Sequence, residues 1–199
     1  MNLLQDERIL ARLGPRQRGV FSLDDLKVCL DEPHRSALYR RVESLIEVGA
    51  LRRFSNGFYV AAEYDLAVLS KRLAPDSAVS FETVLARELV IGPRPAHAVS
   101  AIRGGRSTRF ESLGARVQFH HLTTSLRFGE RTVDGVRMTD AEKALLDVFT
   151  FHLRGRRALF DLQGDIDLGA LDRKRLRGYL QRYLNPRLVA FVRKSLRLP

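Results

Sequence analysis

The run Leu51-Arg52-Arg53-Phe54-Ser55-Asn56-Gly57-Phe58-Tyr59-Val60 constrains this chain more than any other. Leu51 to Phe54 and Phe58 to Val60 have strand composition, and Ser55-Asn56-Gly57 separates them. Asn-Gly is the strongest short hairpin signal, because both central residues of a tight turn must take positive φ. The segment before it, Arg35 to Gly49, has helical period: Leu38, Val42, Leu45 and Ile46 fall at i, i+4, i+7 and i+8. Gly49 supplies the C-terminal stop. A helix ending at glycine and running straight into a short basic hairpin leaves few topologies open.

Upstream, Leu3, Leu4, Ile9, Leu10 and Leu13 mark an amphipathic helix that should close at Gly14-Pro15. A second helix is predicted from Leu23 to about Leu30. Ser22 with Asp25 three residues later forms a start of the capping-box type, with Phe21 as the apolar staple. Pro33 cannot continue that helix and suits the start of the next.

Three helices followed by a hairpin is the element order of a winged helix-turn-helix, here residues 1–63. Its third helix has Ser36, Arg40 and Ser44 opposite the apolar stripe, flanked by Tyr39 and Arg41. Arg35, Arg40 and Arg41 lie in its N-terminal half, and Glu43 and Glu47 in its C-terminal half. Recognition helices present their N-terminal part to the major groove, so this polarity suits DNA. Ser36, Tyr39 and Arg40 are the expected base readers. Arg52 and Arg53 at the foot of the hairpin and Asn56 at its tip are the expected phosphate contacts.

Charge supports a nucleic-acid partner but places it elsewhere. The chain of 199 residues has a net charge of +11. Residues 1–63 hold 10 Lys/Arg and 9 Asp/Glu, whereas residues 64–199 hold 24 and 14. The segment that looks like a DNA reader is nearly neutral, and the remainder is strongly basic. A basic surface of this kind favours phosphate-bearing or acidic partners.

Residues 64–199 read as an α+β domain with a small antiparallel or mixed sheet and C-terminal helices. Helices are predicted over Tyr64 to Leu73, Ser80 to Leu89 (opened by Ser80) and a stretch capped by Thr139 with Glu142 at its third position. Strands are predicted over 97–102, 116–121 and 131–138. Two further helices, split at Asn185-Pro186, complete the chain.

Few groups here offer catalysis. Arg103-Gly104-Gly105-Arg106 with Arg109 could cradle a phosphate, although a basic hairpin turn is the simpler reading. Asp165 and Asp167 lie about sixty residues beyond Gly104-Gly105, too far for the compact glycine-turn and carboxylate unit of a nucleotidyltransferase. His120 and His121 point to opposite faces of one strand, so they cannot chelate one ion together. The chain has no phosphate-binding loop, nucleophile elbow or zincin motif. A single cysteine, Cys29, excludes an internal disulfide and is expected to be a small core residue. No enzyme, cofactor or metal is expected. No apolar run approaches the roughly 18 residues of a membrane span, and the N-terminal charges do not suit a signal peptide. The expectation is a soluble, cytoplasmic protein with no membrane role.

Taken along nearly its whole length, the chain resembles the AbiEi-type antitoxins of type IV toxin–antitoxin systems. The resemblance rests on the segment Ser22 to Val60 and on the strands AVSAIR and ARVQFHHL. It also rests on Leu126-Arg127-Phe128-Gly129 and, most specifically, on the Glu-Lys-Ala-Leu-Leu-Asp run from Glu142 to Asp147. It implies a transcriptional autorepressor that binds inverted repeats of double-stranded DNA in its own promoter. It further implies an antitoxin domain that counters a nucleotidyltransferase toxin. The alternatives are a stand-alone winged-helix regulator, or a basic module for RNA or an acidic protein.

Overall fold

The computed structural model describes residues 3–93 and 96–197. Among them are eight α-helices and two β-sheets, a mixed α+β architecture with helices leading and the larger sheet following.

The first helix, α1 (Leu3–Gln17), runs through Gly14 and Pro15 instead of closing there. Its terminus is set by Gly19, at φ +71°, whose N–H bonds the Gly14 carbonyl at 2.9 Å. Glycine is required at this position, since a Cβ would lie 2.1 Å from the Glu63 carbonyl oxygen. The positive φ turns the chain into β1 (Val20–Ser22), a strand absent from the expectations above.

Ser22 then caps α2 (Leu23–Cys29) with both halves of the predicted capping box: Asp25 N–H donates to Ser22 Oγ, and Ser22 N–H to the Asp25 carboxylate. Next come α3 (Arg35–Glu47), β2 (Arg52–Ser55) and β3 (Phe58–Val60). β2 and β3 pair antiparallel around Asn56-Gly57, and β1 adds to the free edge of β3. Leu26, Leu38, Val42 and Leu45 are buried with Phe21 and Tyr59, so the periodic positions of α2 and α3 face this three-stranded sheet.

Asp65 caps α4 (Leu66–Leu73), which leads to β4 (Ala78–Val79) and α5 (Glu82–Arg87). Ser80 does not cap α5. Phe81 occupies that position at φ +59°, and the Ser80 hydroxyl turns inward to Asp147.

Five strands complete the second sheet: β5 (Ala98–Arg103), β6 (Thr108–Ser112), β7 (Ala115–His121), β8 (Glu130–Val133) and β9 (Val136–Thr139). Its order is β6-β7-β5-β4-β9-β8. β5 with β7 and β4 with β9 are parallel, and the other neighbours are antiparallel. The single strand expected over 131–138 is a hairpin instead. Asp134 and Gly135 both take positive φ at its turn, the geometry expected of an Asp-Gly hairpin, whereas at Asn56-Gly57 only the glycine does.

α6 (Ala141–His152) is buried from Ala141 to Phe151 and forms the centre of the larger core. Asp140, not Thr139, caps it by accepting from Lys143 N–H. α7 (Arg173–Leu180) and α8 (Pro186–Ser195) pack on it, capped by Asp172 and Asn185. Val20, Phe54 and Val60 of the first sheet share a third buried cluster with Leu69 of α4 and with Ala101, Val117 and Phe119 of the second. Ion pairs Arg18–Asp65 and Arg72–Asp25 cross the same seam at 2.5 and 2.9 Å.

Candidate nucleic-acid interface

α3 divides its side chains as its spacing dictates. Leu38, Val42 and Leu45 are buried, while Arg35, Ser36 and Arg40 are exposed on the other side. Arg35 lies over the Tyr39 ring, 5.6 Å from its centroid, and donates to the Tyr39 hydroxyl at 3.3 Å. The aromatic ring holds that cation at the surface without neutralising it. Arg40 has no carboxylate partner among the described residues. Ser44 spends its hydroxyl on the Arg40 carbonyl at 3.1 Å.

Arg41 departs from its expected role as a surface contact. Its guanidinium grips both oxygens of Asp6 on α1, at 2.6 and 2.9 Å, and donates to the Leu30 carbonyl at 2.9 Å. Asp6 is itself buried, at 2% exposure, so Arg41 neutralises an interior carboxylate. Burial on this scale favours a paired charge over a free one. Asp6 raises the already high Arg41 pKa against the opposing pull of partial burial.

The hairpin arginines are also engaged. Arg52 donates to the Ala61 and Ala62 carbonyls at 3.2 and 2.8 Å and lies over Tyr64. It anchors the chain leaving β3, a supporting role that the sequence did not indicate. Arg53 pairs with Glu43 of α3 and stacks on Tyr59, directly opposite it in the sheet. Both partners of that ion pair are half exposed, so Arg53 stays at the surface. Asn56 is exposed at the hairpin tip.

Arg103-Gly104-Gly105-Arg106 is not a hairpin turn. β5 and β6 are not neighbours, since β7 lies between them, and the turn carries the chain across β7. The Gly104 and Gly105 carbonyls converge on His121 Nδ1 at 3.0 and 3.1 Å. Two acceptors around one ring nitrogen require that nitrogen to carry the proton. Carbonyls gathered this way repel an anion. Arg103 pairs with Asp76 at 3.4 Å over the Phe119 ring, and Arg109 pairs with Glu111. Of the three arginines expected here, Arg106 alone has no ion pair to a carboxylate among the described residues.

The Glu142–Asp147 run is structural. Glu142 accepts from Asp172 N–H at 2.7 Å and from Arg175 at 3.3 Å, tying α6 to α7. Tyr179 donates to Asp140 at 2.7 Å beside it. His120 and His121 point to opposite faces as predicted, with His120 at 6% exposure between Phe81 and Phe151. Burial first, then the Arg156 charge, pull His120 down to about 4 against Glu82. No group of three or more metal-ligating side chains occurs among the described residues. None of their helices is long and apolar enough to cross a membrane.

Sequence reasoning missed the cations of α7 and α8. Arg173, Lys174, Arg177, Arg187, Arg193 and Lys194 form no ion pair with a carboxylate among the described residues. Their signal was present in the +10 balance of residues 64–199 but had no position attached to it.

No family model matches this chain, and no curated protein matches it. Its fold is similar to the crystal structure of the RV2827C protein from Mycobacterium tuberculosis, with a TM-score of 0.63 and 15% sequence identity. The match covers 95% of this chain and 76% of that one. At such identity the likeness is one of fold.

Proposed function

We propose that this protein is a DNA-binding transcriptional regulator whose α3 reads the major groove. One observation carries the reading: Arg35, Ser36 and Arg40 share the solvent face of a helix whose opposite face is buried, with no carboxylate holding either arginine among the described residues. In this reading α2 and α3 are the helical pair of a winged helix-turn-helix, and β2–β3 is the wing. Arg35 and Arg40 suit guanine edges or phosphates, and Ser36 and Tyr39 supply hydroxyls. Arg53 and Asn56 hold flanking phosphates, Arg53 by exchanging Glu43 for the phosphate. Arg41 and Arg52 support the module from inside.

The resemblance to AbiEi-type antitoxins extends the proposal to autorepression and to antagonism of a nucleotidyltransferase toxin by residues 64–199. A second reading, a basic module for RNA or an acidic protein, is favoured by the unpaired cations of α7 and α8.

Gel shifts on the protein's own promoter test the first reading. Arg40→Ala should weaken binding by about 1–3 kcal/mol at one base position. Arg53→Ala should weaken binding to all sequences and lower the salt slope by about 0.9. Parent-like binding by both variants would place the DNA surface elsewhere. Coexpression with the adjacent gene product tests the antitoxin role: failure of the full chain to relieve toxicity leaves a plain regulator.

A further inference from the structure

We propose that the cleft between the end of α6, the 3-10 turn Thr124–Leu126 and the start of α8 binds a small phosphate ester. The cleft encloses about 370 Å³ and is lined by Arg154, Arg182 and Arg187, with no aspartate or glutamate among its lining residues. Cavities of roughly 300 Å³ and above accommodate small ligands.

Two of its cations are held by aromatic rings. Arg182 lies over the Phe128 ring at 4.5 Å, and Arg154 over Phe151 at 5.0 Å. Aromatic faces orient both guanidinium groups and leave their charge uncompensated. Arg35 is held over Tyr39 in the same way, whereas Arg41 leans on Asp6 and Arg156 on Glu82. Arg187 enters from the first turn of α8, a helix whose N-terminal dipole also favours an anion. Exposed planar guanidinium groups lining one cleft suit the several oxygens of a phosphate.

Polar neighbours complete the lining. Thr123 and Ser125 offer hydroxyls at its mouth. Tyr183, at 6% exposure, lines it with a buried hydroxyl. Thr150 lies beside that phenol: it gives its own hydroxyl proton to the Leu146 carbonyl at 2.6 Å, and its oxygen keeps lone pairs that face Tyr183. A buried phenol at the wall can offer its proton to a bound anion or its water. Burial, and behind it the charge of Asp147, push the Tyr183 phenol up, so it stays protonated.

The remaining wall is apolar. Leu126, Leu153 and Leu188 line it, and Leu184 stands 96% exposed at its rim. A bare inorganic anion would leave these surfaces wet, whereas a phosphate attached to a flat or apolar body would cover them. A free mononucleotide has that composition, so AMP is the probe. The same phosphate chemistry could come from the backbone of nucleic acid, and the test separates the two sources. This inference does not depend on the α3 reading.

Calorimetric titration of the full chain with AMP, adenosine, inorganic phosphate and a short DNA duplex tests it. AMP should bind, adenosine should not, and inorganic phosphate should bind more weakly than AMP. Arg187→Ala and Arg154→Ala should each weaken AMP about tenfold or more, and Arg187→Lys should recover part of the loss. Melting temperatures confirm that each variant is folded, and phosphorus NMR of AMP provides a second readout. The proposal is overturned if the parent binds AMP and adenosine alike or binds neither. It is also overturned if folded variants keep parental AMP affinity. Loss of duplex binding in the variants, with no AMP binding by the parent, would assign the cleft to the nucleic-acid surface instead.

Discussion

Lys143 and Asp147 form an ion pair one turn apart on α6, both at 0% exposure. The second carboxylate oxygen accepts from the Ser80 hydroxyl at 2.7 Å, and Ser80 in turn accepts from Thr139 at 3.1 Å. The Lys143 ammonium also lies 5.1 Å from the centre of the Phe128 ring. Burial pushes the Asp147 carboxyl up, and Lys143 and Ser80 oppose it. Removing one partner strands the other charge without water. Lys143→Met or Asp147→Leu alone should therefore cost about 3–5 kcal/mol of stability. The double variant should cost clearly less than the sum, because no orphaned charge remains. Urea denaturation of the three variants measures the coupling, and additive losses would show that the pair is not a unit.

Gly19 and Gly14 should respond very differently to alanine. At Gly19 the positive φ opposes it, and so does the Glu63 carbonyl oxygen, 2.1 Å from where a methyl group would stand. Gly19→Ala should cost about 2–4 kcal/mol. Gly14 is helical, and beyond its chain neighbours and helix backbone nothing lies within 4 Å of its Cβ position. Its helix-propensity gain is opposed by the ring of Pro15 against the new methyl group, so Gly14→Ala should stay within about 0.5 kcal/mol of the parent. Thermal melts of both variants would decide it, and equal shifts would contradict the assigned roles.

Adjacent arginines on α3 should separate stability from binding. Arg41→Ala leaves buried Asp6 without its cation and should cost about 2–4 kcal/mol. Arg40→Ala touches no buried group and should stay within about 0.5 kcal/mol in stability. The proposed loss of DNA affinity belongs to Arg40. If Arg41→Ala is as stable as the parent, Asp6 must find another partner.

His120 should make the fold sensitive to acid. Its pKa is about 4 in the folded chain, against an ordinary value of 6.5. Below pH 6.5 the unfolded chain takes up a proton that the folded chain refuses. Its contribution is therefore fully present above that pH, falls as the pH drops from about 6.5 to about 4, and levels off below. One pKa unit corresponds to about 1.4 kcal/mol, so the loss is on the order of 3 kcal/mol. His120→Phe, which keeps an aromatic ring between Phe81 and Phe151, should flatten the stability profile across this window. An unchanged slope would point to other titrating groups.

The legible parts of this protein were those governed by neighbours in sequence. The Ser22–Asp25 capping box, the buried stripe of α3 and the Asn56-Gly57 hairpin depend on spacings of a few residues, where side-chain geometry dictates the outcome. The Asp134-Gly135 turn was equally local, and the apolar residues on either side of it masked it as one strand. Gly14-Pro15 gave a stop signal that α1 overrode, because Gly19 provides both the positive φ and the close approach to Glu63.

Candidate site residues were less legible, because an arginine's role depends on what lies across from it. Arg40 and Arg41 are neighbours of one chemistry, yet one faces solvent and the other meets Asp6, 35 positions away. Residue order alone determined the helix faces, the hairpin turn and the overall excess of positive charge. Tertiary structure decided the rest: the sheet order, the seam of Val20, Phe54 and Val60 against the second sheet, and which cations remain free. The physical reason is range. Backbone propensity and periodicity act over one or two turns, whereas a charge is neutralised or left available by whichever distant group the fold brings within hydrogen-bonding reach.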